Sequence, residues 1–469
     1  MANSPSVTSR WLLPVVLTVQ FLVSLDLSVV NVALPAIRVG LGFGGGALSW
    51  VVNAYALAFG GLLMLGGRLA DVVGRRRVLI AGFAVFGGAS LGGGLALEPW
   101  QLIAARVVQG VGAAGLAPVA LALVTVNFPA GAARSRALGL WGAAGAAGGA
   151  VGVLAGGLLT DWVGWRAVML VNVPVVLGVL AVVRRAVPAD GRTGGGRLDL
   201  AGALLVTGGT GMLVLGSVRT ETYGWGDWRT AGGAGLGLVL LAGFVAAEAR
   251  VREPLLRPGL LRGRPVLAAN VFTLLLSAGQ FGTFYFTSLH LQQVRGYGPT
   301  ATGVSFLPFC AAIVLGTALA PRLLARFGAG RLMLTGGLLG AAGIALFALT
   351  VSPDGTFWRS VLLPQLVAGL GIGLSFVPLG SAATEGVPAG ETGMASGLLN
   401  SSRQVGGAVG LAVLVGVSAG GFAAAYWAAA GALGAGAVAA GLLYRPYRRA
   451  GRGGRSGRGG GKKFSGILR

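Results

Sequence analysis

The chain is poor in the residues from which most metal and redox sites are built. Among its 469 residues it has one cysteine, Cys310, and one histidine, His290. A single cysteine excludes an internal disulfide, and one cysteine with one histidine cannot supply the ligands of a structural zinc site. We therefore expect neither a disulfide framework nor a metal centre.

Lysine is also nearly absent, since Lys462 and Lys463 are the only two. No GxxxxGK[ST] segment occurs, so the chain cannot hydrolyse ATP by a P-loop mechanism of its own. The run Gly110–Gly115 matches the pattern GxGxxG. It lies in an apolar stretch with no preceding strand, which favours helix packing over dinucleotide binding. We expect a protein that is not an enzyme and that holds no cofactor.

Charged residues are scarce, at 10% of the chain, whereas soluble domains carry about 25%. Hydrophobic residues make up 54%, and the mean hydropathy is +0.79. Glycine is abundant at 87 residues, and small residues let helices approach closely in lipid. This composition predicts a membrane protein.

Fourteen apolar stretches have a length near the ~20 residues that a membrane-spanning helix needs. The sequence therefore predicts an all-α membrane protein with 14 transmembrane helices. The predicted spans are 12–37, 48–66, 78–97, 100–126, 137–159, 166–184, 199–218, 231–249, 267–289, 300–320, 331–351, 359–384, 396–418 and 423–443.

The distribution of positive charge predicts the orientation. With the N-terminus inside, the cytoplasmic segments hold 28 of the 36 Lys and Arg residues, as the positive-inside rule requires. Both termini are then cytoplasmic, and the net charge of +23 reflects topology rather than a nucleic-acid surface. The basic tail 445–469 has three interpretations, which are a topology-fixing disordered segment, a contact with anionic membrane lipids, and RNA binding.

Asp26 is the one carboxylate deep inside an apolar run, about halfway along 11–37. A charge at the bilayer centre costs roughly 2.5–3.5 kcal/mol on insertion scales, so such residues are rarely without a role. At ~1.5 Å per helical residue, Asp26 and Arg106 of the fourth stretch fall at similar depth. Burial favours a neutral carboxyl and a nearby guanidinium favours an ionised one. The pair is interpreted either as a proton site or as a static ion pair that joins two helices.

An internal repeat is visible in the sequence. The segment Arg68–Gly74 with Arg77 matches Arg322–Gly328 with Arg331, at a constant offset of 254 residues. Two six-helix halves separated by two extra helices account for this offset, and duplicated halves are common in transporters. The predicted domains are 1–185 and 266–444 for the bundles, 186–265 for the extra helices with their linkers, and 445–469 for the tail.

Five segments carry further motifs, in this order: Leu25-Asp26 to Pro35, Gly67 to Arg77, Arg106 to Gly112, Trp165-Arg166 with Asn172 to Pro174, and Gly393 to Gly397 with Asn400, Arg403 and Gln404. Together they resemble the major facilitator superfamily, specifically its fourteen-helix drug:proton antiporter branch. The resemblance covers Trp11 to Leu443. It implies two pseudo-symmetric six-helix bundles with two extra central helices, and proton-coupled transport. The excess of 34 Arg over 2 Lys indicates a GC-rich genome, and we expect a bacterial cytoplasmic membrane.

The resemblance also assigns roles to residues. It implies a cytoplasmic latch between the halves, with residues Gly67, Asp71, Gly74, Arg75 and Arg77. The alternative is that the arginines of this segment only keep it on the cytoplasmic side of the membrane. It implies a substrate cavity, although any one of the candidates is more often a helix-packing contact than a ligand contact. The candidates are Gln20, Gln109, Asn270, Gln280, Phe281, Tyr285 and Gln365. Close packing of the fifth helix is carried by Gly148, Gly152, Gly156 and Gly157, but Val153 stands where the antiporter motif has proline.

Three classes of function remain open. The favoured one is a proton-driven exporter of hydrophobic or amphipathic drugs, acting as a monomer with protons and membrane lipids as its other partners. The second is a transporter of the same fold that imports, or that moves a lipid, siderophore or other metabolite. The third is a membrane sensor or scaffold without transport, against which Asp26, Arg106 and the duplicated loop argue.

Overall fold

The protein is built from helices that are long and apolar enough to cross a bilayer. The computed structural model describes residues 10–44, 46–128, 131–187, 199–251, 254–352, 355–388 and 391–444, and the regular elements in these ranges are helical. Fourteen helices of the described chain meet the length and hydropathy expected of membrane spans. These spans confirm the predicted fold class. The spans are helical because a chain in lipid must satisfy its backbone hydrogen bonds within each spanning segment.

The first six spans form the N-terminal half. The sixth is interrupted at Val171 and so consists of two helices. The bounds are α1 Leu12–Leu41, α2 Trp50–Val73, α3 Arg75–Gly94, α4 Pro99–Asn127, α5 Ala132–Trp162, α6 Trp165–Leu170 and α7 Asn172–Ala186.

Two extra helices follow, α8 at Leu200–Tyr223 and α9 at Trp228–Glu248. They cross closely at glycines, since a Cβ placed on Gly233 would lie 3.0 Å from the Cα of Gly216. The carboxylate of Asp199 caps α8 by accepting a hydrogen bond from the backbone N–H of Gly202 at 2.8 Å. The hairpin is therefore held together by backbone contact between its helices.

The last six spans form the C-terminal half. The first of them ends in a π-helical turn at His290–Val294, and the fourth begins with another at Trp358–Leu362. The bounds are α10 Arg264–Leu289, α11 Pro299–Ser305, α12 Leu307–Phe327, α13 Ala329–Thr350, α14 Leu363–Thr384, α15 Thr392–Val417 and α16 Phe422–Leu443.

The α8–α9 hairpin lies on the flank where α2 of the first half meets α15 of the second. A Cβ on Gly61 of α2 would lie 2.3 Å from Thr207 of α8, and one on Gly416 of α15 would lie 2.1 Å from Thr220. The two extra helices thus contact both halves rather than only linking them in sequence.

The segment expected to be a loop between the second and third spans is helical. We expected spans at 48–66 and 78–97, which leave 67–77 as a connection. The structure continues α2 to Val73 and starts α3 at Arg75, so only Gly74 separates the two helices. The expected boundaries were wrong because the arginines of this segment lowered its apolarity, although arginine is a good helix former.

The sequence repeat corresponds to a repeated backbone turn. Gly74 has φ +105° between α2 and α3, and Gly328, 254 residues later, has φ +79° between α12 and α13. Residues with a Cβ rarely adopt positive φ, so glycine at both places lets one helix follow another without a loop. The two halves therefore share this connection.

On the side where α1 begins, two contacts tie the ends of the C-terminal helices together. Tyr444, which follows α16, donates a hydrogen bond to Glu385 beyond α14 at 2.7 Å. Burial, with a contribution from that carboxylate, raises the pKa of Tyr444 well above its ordinary value, so the phenol stays neutral and donates. Arg257 forms an ion pair with Glu391 at the start of α15. The basic tail 445–469 lies outside the described residues.

Candidate functional site

Asp26 lies in the middle of α1 and is completely buried, with an exposed fraction of 0%. The helix is apolar on either side, so the carboxylate is brought into the bundle by the same run that spans the membrane. A buried carboxylate needs hydrogen-bond donors or a cation, since leaving it without them costs several kcal/mol. The surrounding helices supply both.

Arg106 of α4 is the cation. Its Nη1 lies 2.5 Å from Oδ2 of Asp26, and its side chain is 1% exposed. Its Nε donates to the backbone oxygen of Val51 at 2.9 Å. The guanidinium also lies over the ring of Tyr55, 4.4 Å from the centroid. Arg106 thus joins α1, α2 and α4 at one point.

Two amide side chains complete the surroundings of the carboxylate. Asn172 of α7 and Gln109 of α4 donate to Oδ1 of Asp26 at 2.9 Å and 3.1 Å. Gln109 also accepts from Arg106 at 2.9 Å and donates to Ser90 of α3 at 2.7 Å. We call Asp26, Arg106, Gln109, Asn172 and Ser90 the Asp26 cluster.

The Asp26 cluster is chemically suited to bind and release a proton. The ionised carboxylate accepts three hydrogen bonds, one of them charge-assisted, and such bonds are the stronger kind. Protonating Asp26 would remove its attraction for Arg106 and leave that guanidinium buried without a counter-charge. Because unpaired buried charges are costly, the intact ion pair helps to hold together the four helices that the cluster joins.

Sequence reasoning named Asp26, Arg106 and Gln109 but gave no role to Ser90, Tyr55 or Asn172. Each of these is a polar side chain in an otherwise apolar helix, and all are fully buried. Asp26 was singled out by the cost of a charge in lipid, and no such cost marks these neutral side chains in the sequence. Gln109, expected to contact substrate, lies inside the Asp26 cluster.

The remaining substrate candidates are placed differently from one another. Asn270 accepts from Ser402 of α15 at 2.9 Å, and the ring of Phe281 packs on Gly407, so both join α10 to α15. Tyr285 packs edge-on against Phe286.

Three other candidates carry amides. Gln20 bonds weakly to Ser24 at 3.5 Å and packs against Gly145 of α5. Gln365 is 1% exposed, and within the described chain neither of its amide atoms has a partner; the oxygen of Gln280 has none either. The repeat offset of 254 takes Asp26 to Gln280, so the second half carries a group that cannot ionise at the corresponding sequence position.

The residues of the expected latch lie at the junction of α2 and α3. Asp71 is in the last turn of α2, and its carboxylate is 3.9 Å from Arg75 in the first turn of α3. Arg77 is exposed, and a Cβ on Gly67 would contact Pro118 of α4 at 3.5 Å. The pairing that the structure shows for Asp71 is thus within the first half.

The glycines of the fifth span bring α5 against α1. A Cβ on Gly148, Gly152 or Gly156 would lie 2.4–2.8 Å from the backbone oxygens of Phe21, Leu25 and Val29, respectively. These three oxygens are four residues apart and flank Asp26 along α1. The contact therefore fixes the position of the helix that carries the carboxylate.

Val153 leaves α5 unbroken where the resemblance would place proline. The helix runs from Ala132 to Trp162, and Val153 is fully buried against Val32 and Phe306. Its carbonyl oxygen would lie 2.4 Å from a Cβ on Gly303 of α11. Close packing between α5 and the second half is thus achieved without a proline.

The hydrogen bonds between α1 or α5 and the second half lie on the side where α1 ends. Ser288 and Gln292 donate to the backbone oxygens of Asn31 and Val32 at 3.0 Å and 2.9 Å. Asp161, near the end of α5, accepts from the backbone N–H of Thr300 at 3.0 Å. We call these contacts the closing seam.

Comparisons with known proteins agree on one family. The model of the Major Facilitator Superfamily matches residues 16–411. The chain is 42% identical over 423 residues to the cephamycin export protein CmcT of Amycolatopsis lactamdurans, covering 89% of this chain and 87% of that protein. It is 44% identical over 425 residues to the puromycin resistance protein pur8 of Streptomyces alboniger, covering 90% and 84%.

Solved structures show the same fold at low sequence identity. A POT family transporter in complex with 5-aminolevulinic acid superposes with a TM-score of 0.70 at 14% identity. The match covers 91% of this chain and 94% of that one. At this identity the likeness extends to the arrangement of helices only.

Proposed function

The chain belongs to the Major Facilitator Superfamily, and on that premise we propose that it exports hydrophobic or amphipathic antibiotics from a bacterial cell in exchange for protons. It is a transporter rather than an enzyme. Export is supported by the relatives named for cephamycin export and puromycin resistance. The observation that carries proton coupling is the Asp26 cluster, in which a buried carboxylate is balanced by one guanidinium.

The proposed cycle uses two conditions of Asp26. When ionised, the carboxylate holds Arg106, Gln109 and Asn172 and so fixes α1 against α4 and α7. When a proton neutralises it, Arg106 loses its counter-charge and the packing of α1 changes. Because α1 also carries part of the closing seam, at Asn31 and Val32, the state of Asp26 is linked mechanically to that side. A proton taken up from outside favours closure of the seam, and its release to the cell interior precedes the outward passage of substrate.

The orientation is part of the proposal. With the N-terminus in the cytoplasm, the closing seam faces outward and the opposite side faces the cell interior. Substrate then enters from the cytoplasm or the inner leaflet, and seam opening releases it outside. A reporter fused after Arg469 should read cytoplasmic, and one inserted in the connection 224–227 should read external.

The experiment is efflux from proteoliposomes under an imposed pH gradient. Purified protein is reconstituted, loaded with puromycin, a cephamycin or a hydrophobic cation, and followed with an internal pH-sensitive dye. We expect substrate efflux to require the gradient, to stop with a protonophore, and to move protons in the opposite direction. Gradient-independent efflux that moves no protons would refute the coupling while leaving transport itself intact.

A second experiment tests the direction of substrate transport. Cells with and without the protein are compared for survival on the same compounds and for intracellular drug level. Lower accumulation in cells with the protein supports export. Raised accumulation would show import and would favour the alternative in which the chain supplies a metabolite to the cell.

A further inference from the structure

A cavity of about 500 Å³ lies along one side of the α8–α9 hairpin, away from the Asp26 cluster. It lies on the side of the membrane where α1 ends. Its walls come from these two helices alone, and they are Met212, Arg219, Tyr223, Trp228, Arg229, Gly232, Gly233 and Leu236. These residues belong neither to the Asp26 cluster nor to the closing seam.

The two ends of this cavity differ in chemistry. Arg219, Tyr223, Trp228 and Arg229 lie at the end nearest the α8–α9 turn, and Met212 and Leu236 lie at the other. Met212 and Tyr223 are 11 residues apart on one helix, which corresponds to about 16 Å along its axis. The cavity is therefore an elongated groove with a cationic, aromatic mouth and an apolar interior.

Neither Arg219 nor Arg229 forms an ion pair with a carboxylate whose side-chain position the structure describes. The guanidinium of Arg229 lies 4.8 Å from the ring centroid of Tyr223 and 5.6 Å from that of Trp228. The nearby carboxylate of Asp227 accepts from the backbone N–H of Arg229 at 2.7 Å, so it caps α9. Stacking on rings leaves the edges of a guanidinium available to an anion.

The groove opens away from the rest of the protein. Trp228 is 74% exposed and Leu236 is 47% exposed. Other positions of α8 pack on α2 and α15, through Thr207 and Thr220. A Cβ placed on Gly232 would meet nothing within 4 Å, so the groove beside it is open space.

We propose that this groove binds one anionic phospholipid, with its headgroup phosphate between Arg219 and Arg229 and an acyl chain along Gly232 toward Met212. The two guanidiniums are complementary to a phosphate, and Arg pairs with phosphate through two parallel hydrogen bonds. Tyr and Trp side chains are enriched at headgroup depth in membrane proteins.

The charge contacts are tested with a pair of double variants. The protein in detergent is titrated with palmitoyl-oleoyl phosphatidylglycerol or phosphatidylcholine, and bound lipid is counted by native mass spectrometry. We expect Arg219→Gln/Arg229→Gln to weaken phosphatidylglycerol binding about 30-fold, roughly fivefold per arginine. The control Arg38→Gln/Arg359→Gln removes two positive charges assigned to the same side and should leave binding unchanged. Equal loss in both variants would overturn the site in favour of diffuse attraction.

The apolar part of the groove is tested separately. Gly232→Leu places a side chain in the groove without removing a charge, and Gly235→Leu adds the same side chain outside it, where a Cβ also meets nothing within 4 Å. We expect Gly232→Leu to displace the lipid and Gly235→Leu to retain it. Unchanged binding in Gly232→Leu, or full displacement of the lipid by inorganic phosphate alone, would show an anion site without an acyl chain and would refute the proposal. Neither result depends on whether the protein transports protons.

Discussion

Removing the charges of Asp26 and Arg106, singly and together, distinguishes the two interpretations of this pair, a proton site and a structural ion pair. Asp26→Asn keeps the size of the side chain but leaves Arg106 buried, with an exposed fraction of 1%, and without a counter-charge. Breaking a buried pair by removing one partner costs about 3–5 kcal/mol. Arg106 keeps its bonds to Val51 and Gln109 and its contact with Tyr55, so we expect a loss near the lower end, about 3 kcal/mol.

The double variant Asp26→Asn/Arg106→Gln removes both charges and leaves no buried ion without its partner. We expect it to be more stable than either single variant, because replacing a complete buried pair with neutral groups is often neutral or stabilising. Thermal unfolding in detergent measures this part. If the double variant is as unstable as the sum of the two singles, the ion pair does not account for the stability of the cluster.

Transport gives the second measurement. One proton crossing ~100 mV releases about 2.3 kcal/mol, which supports about 40-fold accumulation of substrate. We expect Asp26→Asn and the double variant alike to lose this uphill transport while still exchanging substrate down its gradient. Asp227→Asn, which alters an acid outside the Asp26 cluster, is the control and should pump normally. Uphill pumping at the wild-type rate in the double variant would refute Asp26 as the proton carrier.

Three further predictions follow from individual contacts. Asn172→Leu removes the 2.9 Å bond to Asp26, and we expect it to shift the pH midpoint of efflux with little change in protein yield. Gly152→Val forces α5 away from the backbone of α1, and we expect it to lower thermal stability by about 1–3 kcal/mol. The control is Gly149→Val, which should be tolerated because a Cβ there would meet only a side-chain oxygen at 3.8 Å. Asp71→Asn should slow transport while leaving substrate binding intact, and Ala325→Asp at the repeat position should have little effect on transport. Equal and mild effects of the two substitutions would show that this segment is not a latch and only keeps the loop in the cytoplasm.

The number and the apolar character of the spans were determined by the sequence itself. A bilayer leaves a long apolar stretch no alternative to a helix, so length and hydropathy suffice to place fourteen of them. The repeat at Gly74 and Gly328 was also readable, because a turn that needs positive φ needs glycine. The helix ends within 67–77 could not be predicted from the sequence, because arginine reduces hydropathy without opposing a helix.

In the Asp26 cluster, the sequence singled out the two charged members. It assigned Gln109 to the substrate cavity instead and gave no role to Ser90 or Asn172. Asp26 and Arg106 stand out because a charge in lipid is expensive, and that cost is visible in any single helix. Ser90 and Asn172 cost little by themselves, so nothing local distinguishes them from ordinary helix-packing residues.

Only the tertiary structure decided which polar groups meet. The bond between Asn172 and Asp26 joins residues 146 positions apart, and that between Arg106 and Asp26 joins residues 80 apart. Such contacts depend on how the helices pack, which for α1 and α5 is set by backbone approach at Gly148, Gly152 and Gly156. Hydropathy acts on each helix alone, whereas packing is a property of pairs of helices, and the Asp26 cluster exists only where several pairs converge.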